Sequence, residues 1–177
     1  MLKIITVPNS ILSSPTKPVI DFDKKLEKII EEMKITLEAQ TDPPGVGLAA
    51  NQVGINLSLF IIKPTKKSKI KIFINPKIIK IESLKIKKSK KEEKHLKLEG
   101  CLSVPRIWGP IKRAQKILLE YQDIKGKKQI KWFSGFEAVI IQHEVDHLNG
   151  ILFTQRSLEQ NQKLYKEKNN KLEEIKI

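Results

Sequence analysis

The sequence predicts an α+β fold in a compact single domain, and three observations carry that prediction. The 177-residue chain is 40% hydrophobic and 31% charged, enough apolar material for one core of ordinary domain size. Apolar residues recur at helical spacing near the N-terminus and again in the run that Asn149 and Gly150 close. Between those two segments lie short β-rich runs. The order helix, strands, helix, helix is the segregated pattern of an α+β domain, and no internal repeat interrupts it.

Each element has a local reason. Over residues 23–40, Leu26, Ile29, Ile30, Met33 and Leu37 form one apolar stripe; Asp21 or Asp23 can cap the helix, and Asp42-Pro43-Pro44-Gly45 ends it. Strand-like runs follow at 57–62, 69–75 and 78–81, with charged connectors at 64–68 and 83–97. Segments 116–122 and 127–133 form a hairpin about Ile124-Lys125-Gly126. Ser134 stands three residues before Glu137, a capping box opening a helix through the apolar run 138–141, and Gly150 offers the left-handed residue that stops it. Ser157 with Gln160 resembles a second capping box. It would begin a polar C-terminal helix with a sparse stripe of Leu158, Leu164, Tyr165, Leu172 and Ile175. The chain thus divides into a domain over residues 1–155 and a polar helix or tail over 156–177.

Composition excludes several classes. No apolar run of about 18 residues exists to cross a membrane, and the N-terminus has neither the h-region of a signal peptide nor the character of a transit peptide. The single cysteine, Cys101, cannot form an internal disulfide, so a cytoplasmic protein with a free thiol is expected. The net charge of +14 suggests an anionic neighbour such as nucleic acid. However, only Arg106, Arg113 and Arg156 are arginines, whereas readers of bases and phosphates lean on arginine. The excess is also local: residues 63–97 hold 14 lysines against Glu82, Glu92 and Glu93. Both a solvated basic loop and an anion-facing surface fit that pattern.

The chemistry concentrates in His143-Glu144-Val145-Asp146-His147. On a helix the two histidines lie about 40° apart on one face and can grip one metal ion, with Glu144 beside them. His95, within the basic loop, reads as a solvated histidine. The third ligand is open among three positions. The extended zinc-peptidase pattern would need a histidine at 153, where the chain has Phe153. Glu167 lies 20 residues after His147 but in a strongly polar context. Cys101 sits in Glu99-Gly100-Cys101-Leu102-Ser103, and a Cys/His/His set with water in the fourth position is an open catalytic site. A further stretch, Gly45-Val46-Gly47-Leu48-Ala49-Ala50-Asn51-Gln52, fails as a dinucleotide fingerprint because Asp42-Pro43-Pro44 precedes it where a strand should be. Its small residues would let a peptide backbone approach, and it carries one amide, Gln52.

Together these stretches resemble the peptide deformylase family, whose motifs G-x-G-x-A-A-x-Q, E-G-C-L-S and H-E-x-D-H all occur in order between residues 45 and 147. The resemblance runs from the N-terminus to about Phe153. It implies a catalytic domain over 1–155 in which β-sheets surround a central metal-binding helix. The implied activity is hydrolysis of the N-formyl group from N-formylmethionyl nascent chains. Cys101, His143 and His147 become the metal ligands, Glu144 the acid–base, and Gln52 with the Leu102 backbone N–H the oxyanion donors. The implied cofactor is one divalent ion; Fe(II) is favoured, and Zn, Ni or Co also suit the donors. The substrate backbone is expected to run between the Val46-Gly47 edge and Gly100, with the methionine side chain against Phe136, Val139 and Ile140. The implied partners are formyl-Met nascent peptides and the ribosome surface, through the 63–97 lysines and the C-terminal helix. The chain departs from the family pattern only in Leu98 before Glu99 and in its unusually basic 84–97 region.

Two readings from other classes remain to be separated. A general zinc endopeptidase would take Glu167 as its third ligand, and an RNA-binding protein would hold a structural metal with four protein ligands. Asp146, on the opposite flank from Glu144, is expected to pair with Arg113 and fix the helix against the strands.

Overall fold

The computed structural model of the chain describes residues 1–82, 98–169 and 171–176, so His95 and the lysine cluster Lys87, Lys88, Lys90 and Lys91 lie outside the described residues. Helix α1 (Lys24–Glu38) starts where Asp23 accepts a hydrogen bond from the Leu26 N–H at 2.9 Å, and its stripe of Leu26, Ile30, Met33 and Leu37 is buried. Strands β1 (Gly47–Ala49), β2 (Leu59–Ile62), β3 (Lys71–Glu82), β6 (Lys116–Gln122) and β7 (Lys128–Ser134) form one antiparallel sheet in the order β1-β2-β3-β6-β7. Strands β4 (Leu98–Cys101), β5 (Val104–Pro110), β8 (Tyr165–Lys168) and β9 (Lys171–Glu174) form a second in that order. Helix α2 (Gly135–Leu148) carries the two motif histidines, and α3 (Phe153–Glu159) follows.

The β1–β2 side of the five-stranded sheet is covered on both faces. In β2 the alternation sends Leu59 and Ile61 towards α1, and Phe60 and Ile62 towards α2, so all four are buried. Phe73, Ile117, Leu119 and Phe133 receive Ala138, Ile140 and Ile141 of α2. Full burial of such a side chain contributes about 1.5–3 kcal/mol. On the other flank of α2, Cys101, Val104, Ile111, Phe153 and Leu164 gather the second sheet and α3. The helix is therefore central, with sheet on either side.

Several elements differ from the sequence reading. The runs at 69–75 and 78–81 belong to one strand, β3, whose register shifts beyond Ile74 beside Asn75 at φ +49°, and that irregularity divides the apolar pattern. Residues 98–101 and 104–110 are strands that the sequence pattern did not display. The capping box of α2 does not form: Ser134 makes no side-chain cap bond, because Gly135 turns at φ +60° and Glu137 reaches Lys71 instead, at 2.5 Å.

The expected polar helix over 156–177 is also corrected. Helix α3 begins earlier, at Phe153, and ends at Glu159; Ser157 lies in its last turn and donates to the Pro110 carbonyl at 3.1 Å. A β8–β9 hairpin follows and extends the second sheet from β5. Asn161 at φ +54° ends the helical stretch, and Asn169 at φ +51° turns the hairpin.

Candidate active site

The site is assembled from three segments. Helix α2 presents His143, Glu144 and His147; β4 ends on Cys101; and a 3-10 turn over Ala50–Val53, which follows β1, carries Gln52. The ligand atoms of Cys101, His143 and His147 all lie within 4.8 Å of one another, and Cys101 Sγ stands 3.1 Å from His147 Nε2. Glu167 is elsewhere, paired with Arg106 and Trp108 in the second sheet, so the endopeptidase ligand set is not assembled. Phe153, which occupies the position of a third histidine in the extended motif, lies stacked near the His143 ring with centroids 6.1 Å apart.

Hydrogen bonds orient these groups. The Gln52 Oε1 accepts the Ala49 N–H at 2.8 Å, which fixes the amide so that Nε2 points to Cys101 Sγ at 3.4 Å and Ser103 Oγ at 3.1 Å. Ser103 N–H reaches the same sulfur at 3.4 Å. His143 Nδ1 meets Glu99 Oε2 at 3.1 Å, and Arg113 forks onto both Glu99 oxygens at 3.0 Å each. Arg113 also donates to Asp146 Oδ2 at 2.5 Å, and Arg156 holds the other Asp146 oxygen at 2.9 Å. The expected Arg113–Asp146 pair is thus part of a larger network. The sequence reading assigned no role to Glu99; its signal was its spacing two residues before Cys101, on the same face of β4.

The electrostatics follow from burial and neighbours. Burial opposes a charge on Cys101, but the His147 and His143 imidazoles outweigh it and hold the thiol well below its ordinary range. Burial also opposes charge on His143, and Cys101 and Glu99 outweigh it, pulling the imidazole well above its usual value. Glu144 is pushed up to about 7 by burial, despite the opposing imidazoles. Its Oε2 and His147 Nδ1 are buried with no hydrogen-bond partner among the described residues. A thiolate, two imidazoles and an anionic surround that draws a proton onto His143 are the donor set and field that suit a borderline-soft divalent cation.

Beside this cluster opens a cavity of about 320 Å³. Its walls include Val46 and Gly47 from one side, Gly100 and Leu102 from the other, and Phe136, Val139 and Ile140 from α2. All the residues expected to line a substrate site therefore border one cavity. Pro43, Pro44 and Trp108 also border it, and sequence reasoning had given them no part in the site. β1 and β4 are edge strands of their respective sheets, and both border the cavity. Their glycines are demanded by close approach. A Cβ at Gly47 would clash with Glu144 Oε1, and one at Gly100 would lie 2.7 Å from Trp108 Cζ3.

Fold and site define a class: α+β proteins with a helix-borne Cys/His/His cluster that could hold a metal ion beside a buried carboxylate. Comparison with known proteins narrows it. The chain belongs to the polypeptide deformylase family, whose model matches residues 1–163. It is 38% identical over 172 residues to the peptide deformylase of Desulfotalea psychrophila, covering 95% of this chain and 94% of that one. Over 156 residues it is 38% identical to peptide deformylase 1 of Bacillus cereus, covering 88% and 92%. Among solved structures, the peptide deformylase of Thermotoga maritima superposes with a TM-score of 0.75 at 35% identity, over 88% of this chain and 97% of that one.

Proposed function

We propose that this chain removes the N-formyl group from N-formylmethionyl nascent polypeptides, releasing formate and a free N-terminal methionine, with Cys101, His143 and His147 holding one divalent metal ion. The observation that carries the reading is the Cys101 sulfur 3.1 Å from His147 Nε2, with Glu144 buried beside the pair. When bound, the ion lowers the pKa of a water from about 15.7 towards about 7 and polarises the formyl oxygen. Glu144, with its carboxyl raised to about 7, is matched to take the proton of the attacking water and return it to the α-amine nitrogen as the C–N bond breaks. The Gln52 amide, fixed through its Ala49 contact, and the Leu102 N–H are the donors for the oxyanion; a donor of this kind contributes about 3–4 kcal/mol.

Binding follows from the two sheet edges. A peptide laid between Gly47 of β1 and Gly100 of β4 adds a strand through main-chain bonds, which makes recognition independent of later side chains. Phe136, Val139 and Ile140 form an unbranched apolar slot for the methionine side chain. Fe(II) is favoured by the family resemblance alone; the Cys/His/His donors suit Zn, Ni and Co as well.

The catalytic unit is assigned to 1–155. Ribosome contact is assigned to the basic 63–97 region, with the 157–177 segment contributing as a hairpin and not as a docking helix. Compartment is assigned to the cytoplasm; among the described residues no helix is long and apolar enough to cross a membrane. Formate release from a formyl-Met peptide, abolished by a chelator and restored by added metal, tests the reading. Peptide-bond cleavage, or chelator-insensitive turnover blocked by alkylation, would overturn it.

A further inference from the structure

The β8–β9 hairpin reaches the substrate cavity through one side chain. Glu167 Oε2 accepts the Trp108 indole N–H at 3.0 Å, and its Oε1 accepts from Arg106 NH1 at 3.2 Å. Trp108 is the cross-strand partner of Gly100, and its ring lies over that glycine so closely that a Cβ there would collide with it. Arg106, at φ +60°, also approaches Asp42 to 3.5 Å. Asp42 precedes Pro43 and Pro44, which form the opposing wall. The Asp42–Arg106–Glu167 chain therefore joins both walls of the cavity at one end.

Exposure identifies that end. Arg106 and Asp42 are 53% and 81% exposed, whereas Glu167 is 21% exposed beneath them. Along α2, Ile140 is buried in the core and Val139 and His143 are partly buried, while Phe136 near the start of the helix is 51% exposed. A peptide whose methionine lies against Val139 and Ile140 and whose chain runs on towards the Asp42–Arg106 end passes Pro43, Pro44 and Trp108.

We infer that Glu167 is a positioning residue for the peptide-binding cleft: by holding the Trp108 indole and the Arg106 guanidinium, it sets the wall past which the residues following the formylated methionine leave. This rests on the deformylase reading. The two hydrogen bonds are unequal in consequence. The indole N–H needs an acceptor, which a glutamine oxygen also supplies, whereas the Arg106 contact needs the charge. Loss of the acceptor frees the Trp108 ring to rotate over Gly100, where a substrate strand would lie. The effect falls on binding of the downstream residues and leaves the proton transfer by Glu144 untouched.

The test compares formyl-methionine amide with a formyl-Met-Ala-Ala peptide on wild type, Glu167→Ala and Glu167→Gln, each metal-loaded. Glu167→Ala is expected to raise KM for the tripeptide roughly fivefold, the effect of one lost hydrogen bond at a partly exposed site, with kcat unchanged and little change for the amide. Glu167→Gln is expected to restore most of the tripeptide KM. In a Trp132→Phe background, leaving Trp108 as the one tryptophan, its emission should shift to the red in Glu167→Ala and not in Glu167→Gln. Equal changes for both substrates, a fall in kcat alone, or an active Glu167→Ala with wild-type KM would overturn the inference. Should Glu167→Ala fail to fold, Trp108→Phe, which removes the N–H donor and shrinks the ring over Gly100, must raise KM for the tripeptide and not for the amide, or the inference falls. A wild type that releases no formate from either substrate overturns the functional reading and this inference with it; the tryptophan emission shift still reports the Glu167–Trp108 contact itself.

Discussion

Helices α1 and α2 are nearly equal in length, 15 and 14 residues, yet they are built on opposite terms. α1 buries an apolar stripe against one face of the five-stranded sheet and gives its lysines and glutamates to water. α2 is enclosed on both flanks, so its polar residues are buried with its apolar ones: Gln142, Glu144, Asp146 and His147 are all inside. Burying a polar group without a partner costs about 1–3 kcal/mol by protein measurements. α2 offsets much of that cost with fixed partners. Gln142 bonds Ala114 on both its donor and acceptor atoms, Asp146 holds two arginines, and His143 rests on Glu99. His147 Nδ1 has no partner among the described residues, and the exception that bears on proton transfer is the Glu144 Oε2, which also has none. The contrast separates a helix that stabilises the fold from one the fold is arranged to serve.

The largest expected effect tests that exception. Glu144→Gln should keep the metal, since all three donors remain, and lower turnover by about 10³-fold, the middle of the range for a lost acid–base. Metal analysis beside formate release checks it; loss of metal together with activity would make Glu144 a ligand. The same substitution has a stability signature in chelator-stripped protein. Burial raises Glu144 to about 7, so its ionisation is disfavoured in the fold and costs stability as pH rises from the unfolded value near 4.5 through about 7. The Gln variant should therefore melt higher than wild type at pH 8, and at pH 4 the advantage should vanish. Next in size is Cys101→Ser. A neutral hydroxyl replaces a soft anion, so metal affinity and activity should fall together; retained metal at full occupancy would contradict the ligand assignment.

The two helices also differ in what could be read beforehand. α1 was legible because its stripe, its Asp23 cap and its proline stop are all local signals. The Cys/His/His cluster was legible because histidines four apart on a helix leave a mark in sequence, and the cysteine lay in a recognisable motif. The environment of α2 was not. That Glu99, Arg113, Asp146 and Arg156 meet depends on β4, β5 and α3 converging, and the four residues of β4 leave only the Glu99–Cys101 spacing as a local signal. Trp108 reached the cavity for the same reason: its place follows from pairing with Gly100 across a hairpin. At the C-terminus the misreading was one of period. Sparse apolar residues suggest a helix there, whereas Asn169 just after Lys168, a residue type that accepts positive φ, is the hairpin signal.

The buried network gives the next prediction. Arg113 has a side chain only 7% exposed, and Glu99 and Asp146 are 12% and 10% exposed. Replacing it with leucine leaves Glu99 without its fork while Asp146 keeps Arg156, so about 3 kcal/mol should be lost, the low end for a broken buried pair. Denaturant unfolding measures this. A loss under about 1 kcal/mol would show that surface-like pairing suffices and that α2 does not depend on charged partners.

The smallest effects lie at the two N-termini, where the helices can be compared position for position. Asp23 bonds the Leu26 N–H, so Asp23→Ala should cost about 1 kcal/mol, the usual worth of an N-cap. Ser134 stands at the equivalent place before α2 and makes no such bond, so Ser134→Ala should change stability by less than about 0.5 kcal/mol, as surface substitutions do. The reason is the residue between them: Gly135 enters the helix at φ +60°, a conformation that costs an L-residue about 1–2 kcal/mol. Nothing lies within 4 Å of a Cβ built at Gly135, so Gly135→Ala would measure that backbone cost alone. If Ser134→Ala proved as costly as Asp23→Ala while Gly135→Ala proved neutral, the helix would start with a filled capping box in solution. α2 would then begin by the same local rule as α1, and its enclosure would not determine its entry.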